Sequence, residues 1–172
     1  MTATLTVPNG LKKAAVLCIL RSADGLLLLR RTKEPHLGTF IPIGGKLEPF
    51  ETPDNAALRE IDEETGLRVE AVRLQGILTE TSPTGFNWIN YVYAADVPVV
   101  ELPTCEEGVL EWVPDNVLTT IPTPETDLHI YSRVSHNTFF IFNAVYDSNL
   151  NLVCLRDDLS GQPIVDRSLL RR

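Results

Sequence analysis

The sequence predicts a single α/β domain in which helices pack on a mixed β-sheet. Strand candidates lie on both sides of isolated helix candidates, an order that is typical of a sheet covered by helices. The chain of 172 residues is 44% hydrophobic and 22% charged, and that size is sufficient for one domain with a substantial core. We expect residues 1–172 to form this domain, with about 160–172 as a loose C-terminal tail.

The first predicted elements are two strands joined by a turn. Residues 12–32 read KKAAVLCILRSADGLLLLRRT, and the Asp-Gly pair near the middle is a strong hairpin signal. Residues 33–50 follow with three prolines and three glycines. Such a composition predicts a loop with at most short strands.

The clearest helix candidate spans residues 52–65. Thr52 suits the N-cap position, Pro53 suits the first helical position, and Asp54 suits the positive end of the helix dipole. Gly66 is well placed to end the helix.

The rest of the chain is predicted to alternate between strands and short helices. We expect strands at 68–80, 86–97 and 110–114, helices at 115–121 and 124–136, and a hairpin formed by 138–147 and 151–157.

Composition excludes several classes of protein. The formal net charge is −8, whereas binding to long nucleic acid requires a basic patch. No apolar stretch reaches the length of a membrane span, and the N-terminus lacks the pattern of a secretory signal. The three cysteines, Cys18, Cys105 and Cys154, are scattered and fit buried thiols in a reducing compartment. We therefore expect a cytoplasmic protein without a membrane or long nucleic-acid partner.

The helix candidate at 52–65 carries an acidic cluster that helix propensity does not explain. Glu60, Glu63 and Glu64 share one face at about 100° per residue, and Ala57 and Ile61 lie on an adjacent apolar arc. Like charges at these spacings destabilise a helix, especially near its C-terminus. A hard divalent cation would explain the cluster, because Mg²⁺ is held by a few carboxylates together with substrate phosphates. A solvated acidic face is the alternative.

The pattern around this cluster is more specific than the cluster itself. From Gly45 the chain reads Gly, five residues, Glu51, seven residues, and then REIDEETGL at 59–67. These residues fill every specified position of the Nudix box, so the chain resembles the Nudix hydrolase family. The resemblance implies an α/β/α sandwich with a mixed β-sheet. It also implies hydrolysis of a nucleoside diphosphate linked to another group, with Mg²⁺ or Mn²⁺ as the cofactor.

The resemblance implies a metal site on the helix. Glu60, Glu63 and Glu64 resemble the metal ligands, and Glu60 and Glu64 are also the candidates for the catalytic base. The backbone carbonyl of Gly44 resembles a further ligand. Metal ions neutralise phosphate charge and acidify a water molecule, so no protein nucleophile is needed.

The same resemblance implies supporting roles for other positions of the motif. Arg59 resembles the residue that orients the catalytic Glu60, and Glu51 resembles the residue that braces the loop to the helix. Ordinary salt bridges are the alternative for both. Gly45 and Gly66 occupy the structural glycine positions.

The chain also resembles the MutT-like branch that acts on oxidised nucleotides. The similarity lies in LLLLRRT, in GTFIPIGGKLE and in EEGVLEWV followed by IPTPETD. In that branch an acid shortly before the Trp strand contributes to the metal site, and Glu107 matches this position best. Acids after the strand can read the base edge, which makes Glu125 and Asp127 candidates, although both also suit a helix N-terminus.

Further substrate contacts are predicted from aromatic residues and from the loop. One of Phe86, Trp88 or Tyr91 could stack on a base, although aromatic residues in strands more often belong to the core. Some members of the branch have an aromatic residue followed by Asn before the double glycine. Here the pair is Phe40-Ile41, and Ile41 offers no side-chain hydrogen bond, which weakens an assignment to 8-oxoguanine.

Three functions remain open at this point. The first is a nucleoside triphosphatase that releases pyrophosphate, with an oxidised purine nucleotide as one candidate substrate. The second is a Nudix enzyme for ADP-ribose, a dinucleotide or a nucleotide sugar. The third is a non-catalytic Nudix module that senses a nucleotide. In each case the expected partner is a small nucleotide, and a homodimer is compatible with the sequence.

Overall fold

The structure, a computed structural model, describes residues 8–33, 37–105 and 108–167. Within these ranges ten strands and two α-helices are present. The elements are, in order, β1 (Lys13–Ser22), β2 (Gly25–Arg31), β3 (Phe40–Ile41), β4 (Ile43–Lys46), α1 (Pro53–Thr65), β5 (Arg73–Thr81), β6 (Trp88–Asp96), β7 (Gly108–Val113), α2 (Glu125–Ser135), β8 (Phe140–Tyr146), β9 (Leu152–Asp157) and β10 (Gln162–Asp166).

The predicted hairpins and the predicted helix are confirmed. β1 pairs with β2 in an antiparallel register that ends at Ser22 opposite Gly25, and β8 pairs with β9 in the same sense. Helix α1 begins at Pro53 and ends at Gly66, which has a φ of 68° in the left-handed region that favours glycine. Thr52 occupies the N-cap position, but its side chain makes no capping hydrogen bond.

The ten strands form one mixed sheet with the order β10-β9-β8-β5-β6-β1-β2-β3. Strand β4 also pairs with β1, and β7 also pairs with β2. The β1–β6 and β5–β8 pairs are parallel, whereas the other pairs are antiparallel. The sheet is therefore mixed, as the order of elements predicts.

The two helices cover opposite faces of this sheet. Successive residues of a strand point to opposite faces. Ile19 in β1 packs in one cluster with Ile130 of α2, whereas Cys18 and Leu20 pack in a second cluster with Ile61 of α1. The architecture is an α/β/α sandwich, and the predicted fold class is confirmed.

Two sequence predictions about local structure are wrong. The expected helix at 115–121 is a single 3₁₀ turn at Asp115–Val117, and prolines at 122 and 124 follow it closely. The expected loose tail at about 160–172 contains β10, which pairs with β9. Gly161 makes the turn between them with a φ of 69°, and Ile164 and Val165 pack against the core. Residues 168–172 lie outside the described ranges.

Two further sequence expectations concern cysteines and membranes. All three cysteines are free; Cys18 is buried, as expected, whereas Cys105 and Cys154 are only half-buried. In the part of the chain that the structure describes, no helix is long and apolar enough to span a membrane.

Candidate active site

Arg59 is the centre of a hydrogen-bond network that joins α1 to the loop before it. Its Nε and Nη2 donate to the two carboxylate oxygens of Glu51 at 2.8 and 2.9 Å. Its Nη1 donates to Glu60 at 2.8 Å and to Glu63 at 3.1 Å, and Nη2 also donates to the carbonyl of Lys46 at 3.1 Å. One guanidinium therefore fixes two carboxylates of the acidic face relative to the glycine loop.

Glu51 completes the connection between loop and helix. One of its carboxylate oxygens also accepts a hydrogen bond from the backbone N–H of Glu48 at 2.9 Å. The hydrogen bonds from Arg59 and then this backbone bond lower the pKa of Glu51 to about 2. The carboxylate is thus ionised at every pH at which the enzyme would be assayed, and the pair with Arg59 persists.

Two glycines allow close approaches at β4, Gly44 to the backbone of β1 and Gly45 to the Glu60 side chain of α1. A Cβ atom on Gly45 would overlap the carboxylate of Glu60, and a Cβ atom on Gly44 would overlap the carbonyl of Val16. Glu60 is only 9% exposed, because its carboxylate lies directly against the backbone of Gly45. No residue other than glycine at 45 would leave the Glu60 carboxylate in this place.

The donor set of this region fits a hard divalent cation. Glu60, Glu63 and Glu64 lie in the last turns of α1, with Glu60 against Gly45. Carboxylate and carbonyl oxygens are the ligands that Mg²⁺ and Mn²⁺ prefer. Among the described residues, no three His, Cys, Asp or Glu side chains converge as a ready-made cation site. Arg59 instead holds Glu60 and Glu63 together. Glu107, the further ligand predicted from the sequence, lies outside the described residues.

A cavity of about 380 Å³ opens on the other side of the two glycines. Aromatic and aliphatic side chains form much of its wall, and two basic residues also line it. The lining residues are Ala15, Val16, Leu17, Arg31, Ile41, Gly44, Gly45, Lys46, Glu80, Phe86, Trp88 and Asn90. The Gly44–Gly45 backbone therefore separates the Glu60 carboxylate from a pocket with the composition of a small-molecule site.

Some of the predicted substrate residues meet at this cavity. Ile41 and Trp88 line it, together with Phe86. Tyr91 is not among the described residues that line it and packs instead against the cluster under α1. The aromatic candidates at the cavity are therefore Phe86 and Trp88, whose rings meet edge to face with centroids 6.4 Å apart.

The other predicted substrate residues lie elsewhere. Phe40 is buried in the core under α2, while its carbonyl accepts a hydrogen bond from Thr123. Glu125 pairs with Arg167 through two hydrogen bonds of 2.8 Å and lines a different cavity of about 460 Å³. Asp127 lies in the first turn of α2 and is buried, with 7% of the residue exposed. The structure does not bring Glu125 or Asp127 to the cavity beside Gly44–Gly45.

Two polar residues of this cavity were missed by the sequence reasoning. Glu80 in β5 and Asn90 in β6 are 9% and 6% exposed, and both line the pocket. The available signal was a polar residue within an otherwise apolar stretch of strand, in ILTET and in WINYVY. Such residues need hydrogen-bond partners when buried, and only the paired strands reveal that these two are partners of each other.

Buried polar groups continue from Glu80 towards α2. The Tyr146 hydroxyl donates to Glu80 at 2.8 Å and lies 3.3 Å from the Thr126 hydroxyl. Burial raises the pKa of the Tyr146 phenol, so the hydroxyl keeps its proton as the donor. Burial, and then the nearby charge of Glu80, raise the pKa of Asp127 to about 8. At neutral pH Asp127 is therefore mainly in its neutral, protonated form.

Comparison with known proteins defines the family. The NUDIX domain model matches residues 11–158. The uncharacterized Nudix hydrolase YvcI of Bacillus subtilis is 30% identical over 118 residues, which cover 66% of this chain and 73% of YvcI. An ADP-ribose pyrophosphatase of Methanocaldococcus jannaschii is 36% identical over 92 residues, or 52% of this chain and about half (54%) of that protein.

A solved structure agrees with these relatives. The crystal structure of the MutT protein from Bacillus halodurans superimposes with a TM-score of 0.76 and 26% identity, over 86% of this chain and 98% of that one. The chain belongs to the Nudix family. It is a MutT-like Nudix hydrolase, in a class whose enzymes act on nucleoside diphosphate-linked substrates and generally use divalent metal cations.

Proposed function

We propose that this hydrolase converts a nucleoside triphosphate to a nucleoside monophosphate and pyrophosphate. A purine nucleotide, with oxidised purines included, is the proposed substrate class, and Mg²⁺ or Mn²⁺ is the proposed cation. The observation that carries the proposal is the position of Gly44–Gly45, which contacts the Glu60 carboxylate on one side and lines the cavity on the other. A nucleotide with its base in the cavity would place its phosphates at the acidic face of α1.

The cavity has the chemistry of a nucleotide site. Trp88, Phe86 and Ile41 supply apolar surface for a planar base, and base–aromatic stacking contributes about 1–3 kcal/mol per base. Arg31 and Lys46 line the same cavity, and Lys46 directly follows Gly45 in the chain. Their positive charges favour the phosphates there in spite of the negative net charge of the chain.

The acidic face would hold the cation and accept a proton. Glu60, Glu63 and Glu64, with the carbonyl of Gly44 and with Glu107, are the proposed ligands, and the bound cation neutralises phosphate charge and acidifies water. Glu60 or Glu64 accepts a proton from the attacking water. Arg59 keeps Glu60 and Glu63 against the loop through its hydrogen bonds, so the carboxylates do not have to be ordered when the substrate binds.

A substrate panel with product identification tests this proposal. Nucleoside triphosphates, their 8-oxo purine forms, ADP-ribose, a dinucleotide and a nucleotide sugar are incubated with the full chain and Mg²⁺, with and without chelator. We expect pyrophosphate and a monophosphate from a purine triphosphate, and no product with chelator. Glu60→Gln is expected to lose at least about 100-fold in kcat, because it removes an anionic ligand and a base candidate.

Glu48→Gln is the matched control, because Glu48 is exposed on the same loop and contributes only backbone groups to the network. It should keep the activity of the unaltered chain. Turnover that resists chelation, or a Glu60→Gln variant with nearly unchanged kcat, would contradict the assignment of the acidic face.

ADP-ribose hydrolysis is the second candidate function. The similarity to the pyrophosphatase of M. jannaschii favours it. The same panel separates the two functions, since ADP-ribose would yield AMP and ribose phosphate without pyrophosphate. Preference for ADP-ribose over every triphosphate would replace the first proposal with the second.

A further inference from the structure

Glu80 and Asn90 form a buried polar pair in the wall of the cavity. They lie in the adjacent antiparallel strands β5 and β6, where Glu80 is opposite Trp88 and Asn90 is opposite Leu78. Leu78 and Val92 pack in the cluster under α2. Glu80 and Asn90 are each two residues from one of them, so their side chains share that face of the sheet.

Hydrogen bonds fix the orientation of both side chains. Asn90 Nδ2 donates to Glu80 Oε2 at 2.8 Å, and the Tyr146 hydroxyl donates to Glu80 Oε1 at 2.8 Å. Two donors therefore approach the carboxylate, which has about four acceptor positions in total. Beyond this bond the Asn90 amide has its Oδ1 as an acceptor and its second Nδ2–H as a donor.

The hydrogen bonds of this pair orient acceptor atoms in the wall of the cavity. Burial has the largest effect on the pKa of Glu80 and raises it, and the hydrogen bonds from Tyr146 and Asn90 and the charge of Lys12 oppose that shift in part. The two donors need acceptor oxygens, so they favour the ionised carboxylate. A ligand in the cavity thus meets hydrogen-bond acceptors on this wall, beside the apolar faces of Trp88 and Phe86.

We propose that Glu80 and Asn90 select the base, and that they favour a guanine-type purine over an adenine-type purine. Guanine and hypoxanthine carry an N–H at N1, and guanine adds an amine at C2, so this edge presents adjacent donors. Adenine has an acceptor at N1, which would place a lone pair against the acceptor oxygens of Glu80 and add no hydrogen bond there. Sites built on such hydrogen bonds reject analogues that lack them.

The same chemistry means that the pair does not distinguish guanine from guanine oxidised at C8. Oxidation of guanine at C8 leaves the N1 and C2 groups unchanged, so Glu80 and Asn90 would accept both forms. This inference rests on the proposed nucleotide substrate, and it assigns base choice to β5 and β6 rather than to Glu125 or Asp127. Selection of an oxidised base would require contacts outside this pair.

Equilibrium binding of product nucleotides tests the inference without turnover. GMP, IMP and AMP are titrated into the full chain in the presence of chelator, and heats of binding are recorded by calorimetry. We expect GMP to bind more tightly than IMP, and AMP to bind at least about tenfold more weakly than GMP. Equal affinity for the three, or the absence of binding by all three, overturns the inference without any variant.

Variants then assign the preference to Glu80. Glu80→Gln should weaken GMP binding by about tenfold and change AMP binding by less than about threefold, because an amide presents a donor as well as an acceptor. Glu70→Gln is the matched control, since it makes the same change at an exposed position that does not line the cavity. It should keep the order GMP, IMP, AMP. A Glu80→Gln variant that folds and retains the full preference overturns the role of Glu80.

The two proposals fail in distinguishable ways. Metal-dependent hydrolysis of nucleotides without a guanine preference would retain the proposed function and overturn this inference. Preferential binding of GMP by a chain that hydrolyses no nucleotide would support this inference and overturn the proposed function.

Discussion

At the scale of single residues, Asp127 shows how burial changes a carboxylate. It belongs to the first turn of α2 and its side chain is buried. Burial, and then the charge of Glu80, raise its pKa to about 8 from an ordinary value of 3.8. The pKa of Glu51, which accepts hydrogen bonds from Arg59 and the loop backbone, is lowered to about 2. At neutral pH Asp127 is therefore neutral and Glu51 is ionised, because burial and hydrogen bonds shift their pKa values in opposite directions.

Asp127→Asn is expected to stabilise the protein increasingly as the pH rises. Between pH 3.8 and about 8 the folded chain holds a proton on Asp127 that the unfolded chain has lost. The unaltered protein should therefore lose up to about 1.4 kcal/mol of unfolding free energy per pH unit in this window, whereas Asn does not titrate. Urea unfolding of both proteins from about pH 5 to about pH 8 measures the difference.

Asp115→Asn is the control for this experiment, because Asp115 is exposed at the start of the 3₁₀ turn. Its unfolding free energy should run parallel to that of the unaltered chain across the same range. Parallel curves for Asp127→Asn as well would mean that Asp127 is ionised in the folded protein.

At the scale of elements, the contact between β4 and α1 positions the acidic face. The close approach depends on Gly45, whose missing side chain leaves space for the Glu60 carboxylate. Apolar packing of Ala57 and Ile61 against the sheet fixes the other side of the helix. The apolar arc and Arg59 thus hold the helix in place, and the carboxylate of Glu60 lies against the backbone of Gly45.

Gly45→Ala is expected to reduce turnover more than it reduces stability. The added Cβ would overlap the Glu60 carboxylate and would force it away from Gly45, at a cost of roughly 1–3 kcal/mol for overpacking. We expect kcat to fall at least about tenfold, since small displacements of catalytic groups reduce rates strongly. Turnover and urea unfolding are measured on the same preparations.

Gly85→Ala provides the comparison, because the nearest atom to its added Cβ is Asn9 Oδ1 at an ordinary 3.5 Å. It should leave both quantities almost unchanged. Full activity in Gly45→Ala would show that the position of Glu60 against the loop does not matter for the reaction.

At the scale of the whole molecule, the sheet separates the two halves of the proposed site. Helix α1 brings its carboxylates from one face, and the Glu80–Asn90 pair lies on the face that α2 covers. The Gly44–Gly45 segment joins them at the edge of β4. The C-terminal region closes the α2 side, because β10 pairs with β9 and Arg167 pairs with Glu125 at the start of α2.

A chain that ends after Gly161 is expected to be less stable, by on the order of 2 kcal/mol, because it loses the partly buried Ile164 and Val165 along with β10. Arg167→Gln keeps the strand and removes a half-buried ion pair with Glu125 and a hydrogen bond to the carbonyl of Leu152, which should lower the urea midpoint less than the truncation does. An equal midpoint for the truncated and full chains would mean that β10 does not stabilise the fold.

The sequence by itself determined the family, the fold class and the acidic face. These follow from local patterns: the Nudix box from Gly45 to Leu67, the capped helix, the hairpin signals and the helical spacing of Glu60, Glu63 and Glu64. Local patterns are read directly from the chain, because helix periodicity and turn chemistry depend on neighbouring residues. The strand at Gln162–Asp166 was missed, since its pairing with β9 and its packing are tertiary.

Only the tertiary structure decided which polar groups share the proposed substrate pocket. Glu125 and Asp127 suit a base-reading role in sequence, but α2 directs one to Arg167 and buries the other. Glu80 and Asn90 are ten residues apart on strands whose register places them together. Long-range pairing sets such contacts, and the cost of burying a carboxylate is offset only where the fold supplies donors from β6 and β8.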